Sequence, residues 1–295
     1  MGGYEFIVNP VAGAGKSAKL FEAIRKELDR RSIRYDYSIS AYPGHAVDLA
    51  LDALKKKCGQ IVAVGGDGTV KEVAGALCGH DAVMGILPFG TGNDLARALK
   101  LPRDPLPALE VILAGNVRRM DAGFVNGSFF ANVAGIGFDV DVLANTEKFK
   151  KRLNGMLPYM LGLFQALARL KPLDMELETE EGMTRMQGLM VAVANGTHFG
   201  GGMNVAPEAD LFDGYFDICA VERVSVPMFL RLLPSFVKGK HISKKPVRYF
   251  RAKKITVRVK GEATVELDGE LSETTPAMFT MAPGAIQMLC PSPLV

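Results

Sequence analysis

Gln60-Ile61-Val62-Ala63-Val64-Gly65-Gly66-Asp67-Gly68-Thr69 joins an apolar strand to a glycine turn around one aspartate, and a helical stretch from Val70 to Leu77 follows. Two more turns share that plan: Val8-Asn9-Pro10-Val11-Ala12-Gly13, and Pro88-Phe89-Gly90-Thr91-Gly92-Asn93-Asp94. Glycine lets backbone N–H groups come close to an anion, and a helix start adds partial positive charge. Three such turns, two with an aspartate beside them, point to a polyphosphate site with a metal ion. The surrounding pattern alternates strand and helix. Strands are expected at Tyr4 to Asn9, Tyr35 to Ser40, Gln60 to Val64 and Met84 to Pro88. Helices are expected at Ser17 to Arg30, His45 to Lys57, Val70 to Leu77 and from near Asn93. Alternation with nearly unbroken apolar strands predicts an α/β fold around a parallel sheet, with ligands beyond the carboxyl ends of its strands.

The pattern changes near Arg118-Arg119-Met120-Asp121. From Gly123 onward strands follow strands, with hairpin signals at Asn126-Gly127 and Glu181-Gly182. Helical stretches interrupt near Asn145 to Leu170 and Val226 to Val237. A second, antiparallel β-rich domain is expected there. The chain of 295 residues is long enough for both domains, and 48% apolar residues can fill both cores. A net charge of +3 gives no case for nucleic acid. Four scattered cysteines without a CxxC pair fit reduced thiols. No apolar run reaches the roughly 18 to 20 residues that span a bilayer. These features predict a cytoplasmic protein, with peripheral contact to the inner face of a membrane left open.

Gly15-Lys16-Ser17 ends like a Walker A loop, but that motif needs glycine where Pro10 stands, and proline has no N–H to offer a phosphate. The Asp67 loop is more specific. Its glycines admit phosphate, and its carboxylate can reach a hydrated Mg²⁺ that bridges phosphate oxygens.

Gly65 to Thr69 resembles the signature shared by NAD kinases, phosphofructokinases and the diacylglycerol/sphingosine lipid kinases. Pro88 to Asp94 with Ala96-Arg97, Asn9-Pro10 with Gly13, and Leu267-Asp268-Gly269-Glu270 resemble the lipid-kinase branch, closest to the soluble bacterial diacylglycerol kinase-like enzymes. The resemblance covers nearly the whole chain. It implies an α/β ATP-binding domain over residues 1–122, with the tail 284–295 returning to it. A β-sandwich lipid-substrate domain would cover residues 123–283, with the active site in the cleft between. By position it implies ATP contacts from Asn9, Pro10, Val11, Ala12, Gly13, Gly66, Asp67, Gly68, Thr69, Val70, Lys71, Glu72 and Thr91. Ala41 stands where the family often has threonine, so no hydroxyl contact is carried over there. It implies a catalytic Mg²⁺ network of Asp67, Asp94, Asp121 and Asp268, partly through water. The proton acceptor would be Asp268 or Glu270. It also implies a structural Mg²⁺ held by Asp210, Asp213 and Tyr215, against the plainer reading of an acidic turn before a strand.

The expected reaction is phosphorylation of a lipid hydroxyl, most simply diacylglycerol to phosphatidic acid. Ceramide, a sphingoid base and phosphatidylglycerol are alternative acceptors. The rival classes are a soluble-substrate kinase such as NAD kinase and a sensor without turnover. Arg231 to Lys254 carries nine Lys/Arg and no Asp/Glu, and Asn145 to Lys171 carries six against Glu147. Either could rest on an anionic bilayer, although charge runs more often mark a solvated face. Whether the chain forms a homodimer stays open.

Overall fold

In the computed structural model, which describes residues 3–150, 157–168 and 170–292, the first third winds as the alternation predicts. Strands β1 (Tyr4–Val8), β2 (Tyr35–Ile39), β3 (Gln60–Gly65) and β4 (Val83–Pro88) alternate with α1 (Lys16–Arg30), α2 (His45–Lys55), α3 (Asp67–Leu77), α4 (Asp94–Ala98) and α5 (Pro105–Ala114). All four strands are parallel, in the order β4-β3-β1-β2, with Val8 opposite both Ile39 and Val64 and Gly65 opposite Pro88. Successive side chains leave a strand on opposite faces. Ile7, Ala63 and Ile86 therefore pack with Ala50, Val73 and Leu77 on one side. Phe6, Val62, Val64 and Leu87 pack with Phe21, Ile24 and Leu109 on the other. A sheet buried on both faces needs the near-continuous apolar runs that the sequence shows.

The second part is antiparallel. It comprises β5 (Val117–Val125), β6 (Ser128–Phe130), β7 (Val133–Gly137), α6 (Phe138–Lys150), α7 (Leu157–Ala168), β8 (Leu173–Thr179), β9 (Gly182–Ala194), β10 (Phe216–Glu222), α8 (Val226–Val237), β11 (Val247–Ala252), β12 (Lys254–Val259), β13 (Thr264–Leu267), β14 (Glu270–Thr274) and β15 (Ala277–Leu289). Asn126 and Gly127 both take positive φ (49° and 95°) and close the β5–β6 hairpin, as the Asn-Gly signal requires. Phe130, Phe216, Phe279, Ile218 and Val257 meet in one apolar core. A second layer, under α6, α7 and α8, gathers Phe138, Leu167, Phe229, Leu232 and Phe236.

β15 joins the two parts. It pairs antiparallel with β12 through Ile255 and Phe279, bends where its register with β5 shifts between Ala282 and Ile286, and ends parallel to β4 with Met288 opposite Met84. Both β5 and β15 run through the expected domain junctions at 122–123 and 283–284.

Three local readings change. The helix expected from Val70 starts at Asp67, because Gly66 is extended (φ −99°, ψ −169°) and turns the chain directly into α3. The helix expected near Asn145 starts at Phe138, just after Gly137 leaves β7 at φ 111°. Asp139 and Asp141 fall in its first turn, where the helix dipole favours acids. Strand β11, inside the basic stretch, was not foreseen. Its arginines face outward, Arg248 to Glu222 and Arg251 to Asp213. Part of the Asn145 to Lys171 basic stretch, and of the Met156 to Ala168 apolar run within it, lies outside the described residues.

Candidate active site

The glycine loops interlock. Gly66 and Gly90 touch backbone to backbone, so closely that a methyl on Gly90 would sit 2.3 Å from the Gly66 Cα. Gly13 takes φ +60° with its Cα against the Phe89 carbonyl, which packs the first loop onto the third. Asn93 holds a left-handed φ of 54°. Its Oδ1 accepts the Gly90 N–H at 2.9 Å, and its Nδ2 donates to Pro88 O and Gly90 O.

That strained loop is fastened to Asp67, the first residue of α3. Asp67 Oδ2 accepts the N–H of Asn93 at 2.8 Å and Oδ1 that of Asp94 at 2.6 Å. Asp94 extends the chain of contacts. Its Oδ2 accepts the Gly201 N–H at 2.7 Å, from the glycine loop after β9, while its buried Oδ1 takes no hydrogen bond and lies 3.9 Å from Arg97 Nε. Burial pushes the Asp94 carboxyl up to about 6, against the opposing pull of the Gly201 N–H and Arg97.

Asp268 closes the site from the other part of the molecule. It stands at φ +52° in the β13–β14 turn. Its carboxylate accepts three backbone N–H groups, from Ala131 (2.7 Å), Asn132 (2.9 Å) and Val133 (3.0 Å). Burial raises its pKa all the same, since desolvation outweighs the amides and Lys71. Lys71 reaches across from α3, donating to Leu267 O at 3.0 Å and to Glu270 Oε2 at 2.6 Å. A contact between residues about two hundred positions apart thus ties the two walls.

Gly66, Asp67, Gly68, Val70, Lys71, Thr91, Asp94, Asp268 and Glu270 line one cleft of about 370 Å³. Asp139 and Glu266 also line it, and the sequence reading missed both. Both oxygens of Asp139 are buried without partners. Burial raises its pKa, and burial with the neighbouring Asp139 charge raises that of Glu266. Only the burial of Glu266 inside a strand could have hinted at this, and a strand interior gives no such sign in sequence. Beyond the cleft lies a narrow apolar slot. It shares Asp139 and Phe199 with the cleft and continues between Phe138, Leu163, Phe229 and Leu233.

Other expected residues lie elsewhere. Asp121 is not among the residues that line the cleft: its two oxygens accept the N–H of Gly214 and of Gly284, each at 2.7 Å, so it anchors the bend of β15 to the 210–215 loop. Glu72 caps α2, accepting the N–H of Gly44 at 2.9 Å and of Ala46 at 3.1 Å. Asn9 donates to Thr69 Oγ1 at 2.9 Å and bonds the Val11 N–H, while Pro10, Val11, Ala12 and Gly13 are absent from the cleft lining. In the 210–215 loop, Asp210 accepts the Phe212 N–H, Asp213 accepts the Tyr215 N–H and pairs with Arg251, and the Tyr215 ring lies 4.7 Å from the Arg251 guanidinium. Among the described residues no three His, Cys, Asp or Glu side chains converge to grip a metal directly.

The comparisons with known proteins agree along the chain. Residues 4–125 match the diacylglycerol kinase catalytic domain family, and residues 132–290 match the YegS C-terminal NAD kinase beta sandwich-like domain family. A diacylglycerol kinase of Bacillus subtilis (strain 168) is 30% identical over 276 residues, which is 92% of this chain and 91% of that protein. One of Mycobacterium tuberculosis (strain CDC 1551 / Oshkosh) is 31% identical over 294 residues, 97% of this chain and 94% of that one. The crystal structure of a diacylglycerol kinase from Bacillus anthracis str. Sterne superposes with a TM-score of 0.77 at 22% identity, covering 99% of this chain and 98% of that one, a likeness of fold. The interlocked glycine loops, the cleft they share with Asp268 and the match over nearly the full length place this chain in the diacylglycerol kinase family.

Proposed function

We propose that this chain transfers the γ-phosphoryl group of ATP to a lipid hydroxyl, in the simplest case turning diacylglycerol into phosphatidic acid. The observation that carries this reading is the junction of two unlike cavities. A glycine- and carboxylate-lined cleft adjoins, across Asp139 and Phe199, a slot lined almost wholly by apolar side chains. An acceptor with a hydroxyl head and a hydrocarbon body fits that junction, whereas a dinucleotide acceptor such as NAD would leave the slot unused. As it stands the slot holds only about 50 Å³, so an acyl chain would enter only as the walls of the slot part.

The residues fit a hydrated Mg²⁺. Asp94 Oδ1 is a buried carboxylate oxygen with no hydrogen bond, 3.9 Å from Arg97 Nε, and Asp67 and Asp268 line the same cleft with lone pairs to spare. Such an ion, when bound, would neutralise phosphate charge. Asp67, Asp94 and Asp268 would hold it through water, with Asp121 acting at a distance through the backbone it anchors. Nucleotide phosphates would approach the backbone of Gly66, Gly68 and Thr91 and the start of α3, with Lys71 nearby. The Asn9–Gly13 loop packs on those elements through Gly13 and Asn9, and Glu72 holds the start of α2. Asp268 suits the role of proton acceptor better than Glu270, whose oxygen Lys71 already occupies and whose side chain is 60% exposed. Three amides fix the Asp268 carboxylate at the cleft, so little reorganisation is needed at the moment of transfer.

Labelled ATP with diacylglycerol, ceramide, a sphingoid base, phosphatidylglycerol and NAD tests the reading. Label in phosphatidic acid, lost on removal of Mg²⁺, is the expected result. Label in NADP alone, or in no acceptor, overturns it.

A further inference from the structure

Helix α8 is apolar on the side that faces water. Its inner residues Phe229, Leu232 and Phe236 are buried in the layer beneath it. A second apolar stripe runs along its outer side at Val226, Leu230, Pro234 and Val237, spaced i, i+4, i+8 and i+11. Val226, Leu230 and Val237 are 37%, 47% and 55% exposed. An outward face on a helix ordinarily carries charge. Beside this stripe stand Arg231 and Lys238, one heptad apart and both exposed. Lys240, Lys244 and Lys245 follow on the connection to β11, also exposed. None of these five makes an ion pair among the described residues. No Asp or Glu occurs between Val226 and Lys254.

We propose that this face of α8 docks on an anionic lipid bilayer, with the apolar stripe in the headgroup region and the five cations against lipid phosphates. Apolar side chains on one sector with lysine and arginine beside them are the pattern of a helix that lies in a membrane interface. A second copy of the chain is a poor occupant, because two such faces would bring ten like charges together. Position supports the bilayer too. The inner side of α8 supplies Phe229, Leu233 and Phe236 to the apolar slot, so the docked helix is itself a wall between membrane and slot. This part of the inference rests on the lipid-kinase reading above.

Flotation of the full chain with vesicles, without ATP, tests it. One set contains phosphatidylcholine alone and the other adds one-third phosphatidylglycerol, each at low and high salt. The wild type should float with the anionic set only, and less at high salt. Leu230→Gln/Val237→Gln and Arg231→Glu/Lys238→Glu should each cut the bound fraction at least about tenfold. All forms should phosphorylate a short-chain, water-soluble diacylglycerol at equal rates. Wild-type protein that stays unbound, or variants that float as well as wild type, would overturn the proposal. So would a wild-type dimer that Leu230→Gln/Val237→Gln splits without loss of flotation. Flotation needs no turnover, so failure to phosphorylate the soluble lipid would refute the kinase reading while the docking result stood on its own.

Discussion

Gly68→Ala and Gly90→Ala should separate what the glycines do for the ligand from what they do for the fold. Gly68 is the second residue of α3 and lines the cleft. A methyl there meets no atom within 4 Å, and the backbone is not in the left-handed region. Alanine should therefore stabilise the folded chain by about 0.4–1 kcal/mol, mostly by restricting the unfolded one. That corresponds to a rise in Tm of roughly 1–2 °C at most for a chain of this size. The same methyl stands where a phosphate would approach the backbone, so KM for ATP should rise at least about tenfold, or ~1.4 kcal/mol. Gly90 is the opposite case. Its methyl would lie 2.3 Å from the Gly66 Cα and 2.7 Å from Asn93 Oδ1. Carbon atoms in contact rest at about 3.5–4.0 Å, so the two loops must part by more than about 1 Å. Overpacking of that kind costs about 1–3 kcal/mol, and activity falls with it because the cleft wall moves. Gly66→Ala, with a methyl 3.1 Å from the Gly90 Cα, should fall between the two. Urea melts and ATP saturation curves on the three variants measure both axes. An unchanged KM in a stabilised Gly68→Ala would refute the reasoning, since no anion would then be approaching that backbone.

Asp268→Asn should lower kcat at least about a hundredfold as the proton acceptor is lost. It should also cost about 1–3 kcal/mol, because an amide group would face the Ala131 N–H donor; turnover within a few fold of wild type would remove Asp268 from the chemistry. Glu72→Gln should cost about 1 kcal/mol in a urea melt while leaving KM for ATP unchanged, because its oxygens hold the start of α2; a raised KM with intact stability would return Glu72 to the nucleotide. Asp139 has a folded pKa above its unfolded value of about 3.9, so its contribution to stability is complete below that pH and is lost as pH rises through the folded pKa. Asp139→Asn should therefore melt progressively above wild type as pH rises from about 4 to about 7, with the gap levelling off above that, and parallel melting curves would contradict this.

The sequence by itself determined the parallel layer. Its signals are local: apolar runs of strand length, glycine at each strand end, a helix after each glycine, and Asn126-Gly127 where a hairpin turns. Asp67 and Asp94 were legible because each sits in a short glycine motif whose residue types carry the chemistry, whereas Asp268, by itself a plain hairpin tip, was picked out only by the family resemblance. The boundaries at Asp67 and Phe138 were not, because they depend on the φ of Gly66 and Gly137, which composition does not reveal. The rest was decided by tertiary structure, since it depends on contacts between distant parts of the chain. Asp121, Glu72 and Asp67 all accept backbone N–H groups, yet of the three only Asp67 does so on the wall of the cleft, which depends on where folding puts each one. Asp139 and Glu266 look like solvated acids in the sequence and become buried neighbours only when β7 and β13 pair. The outward apolar stripe of α8 is likewise invisible until Phe229, Leu232 and Phe236 turn inward and show which side is left in water.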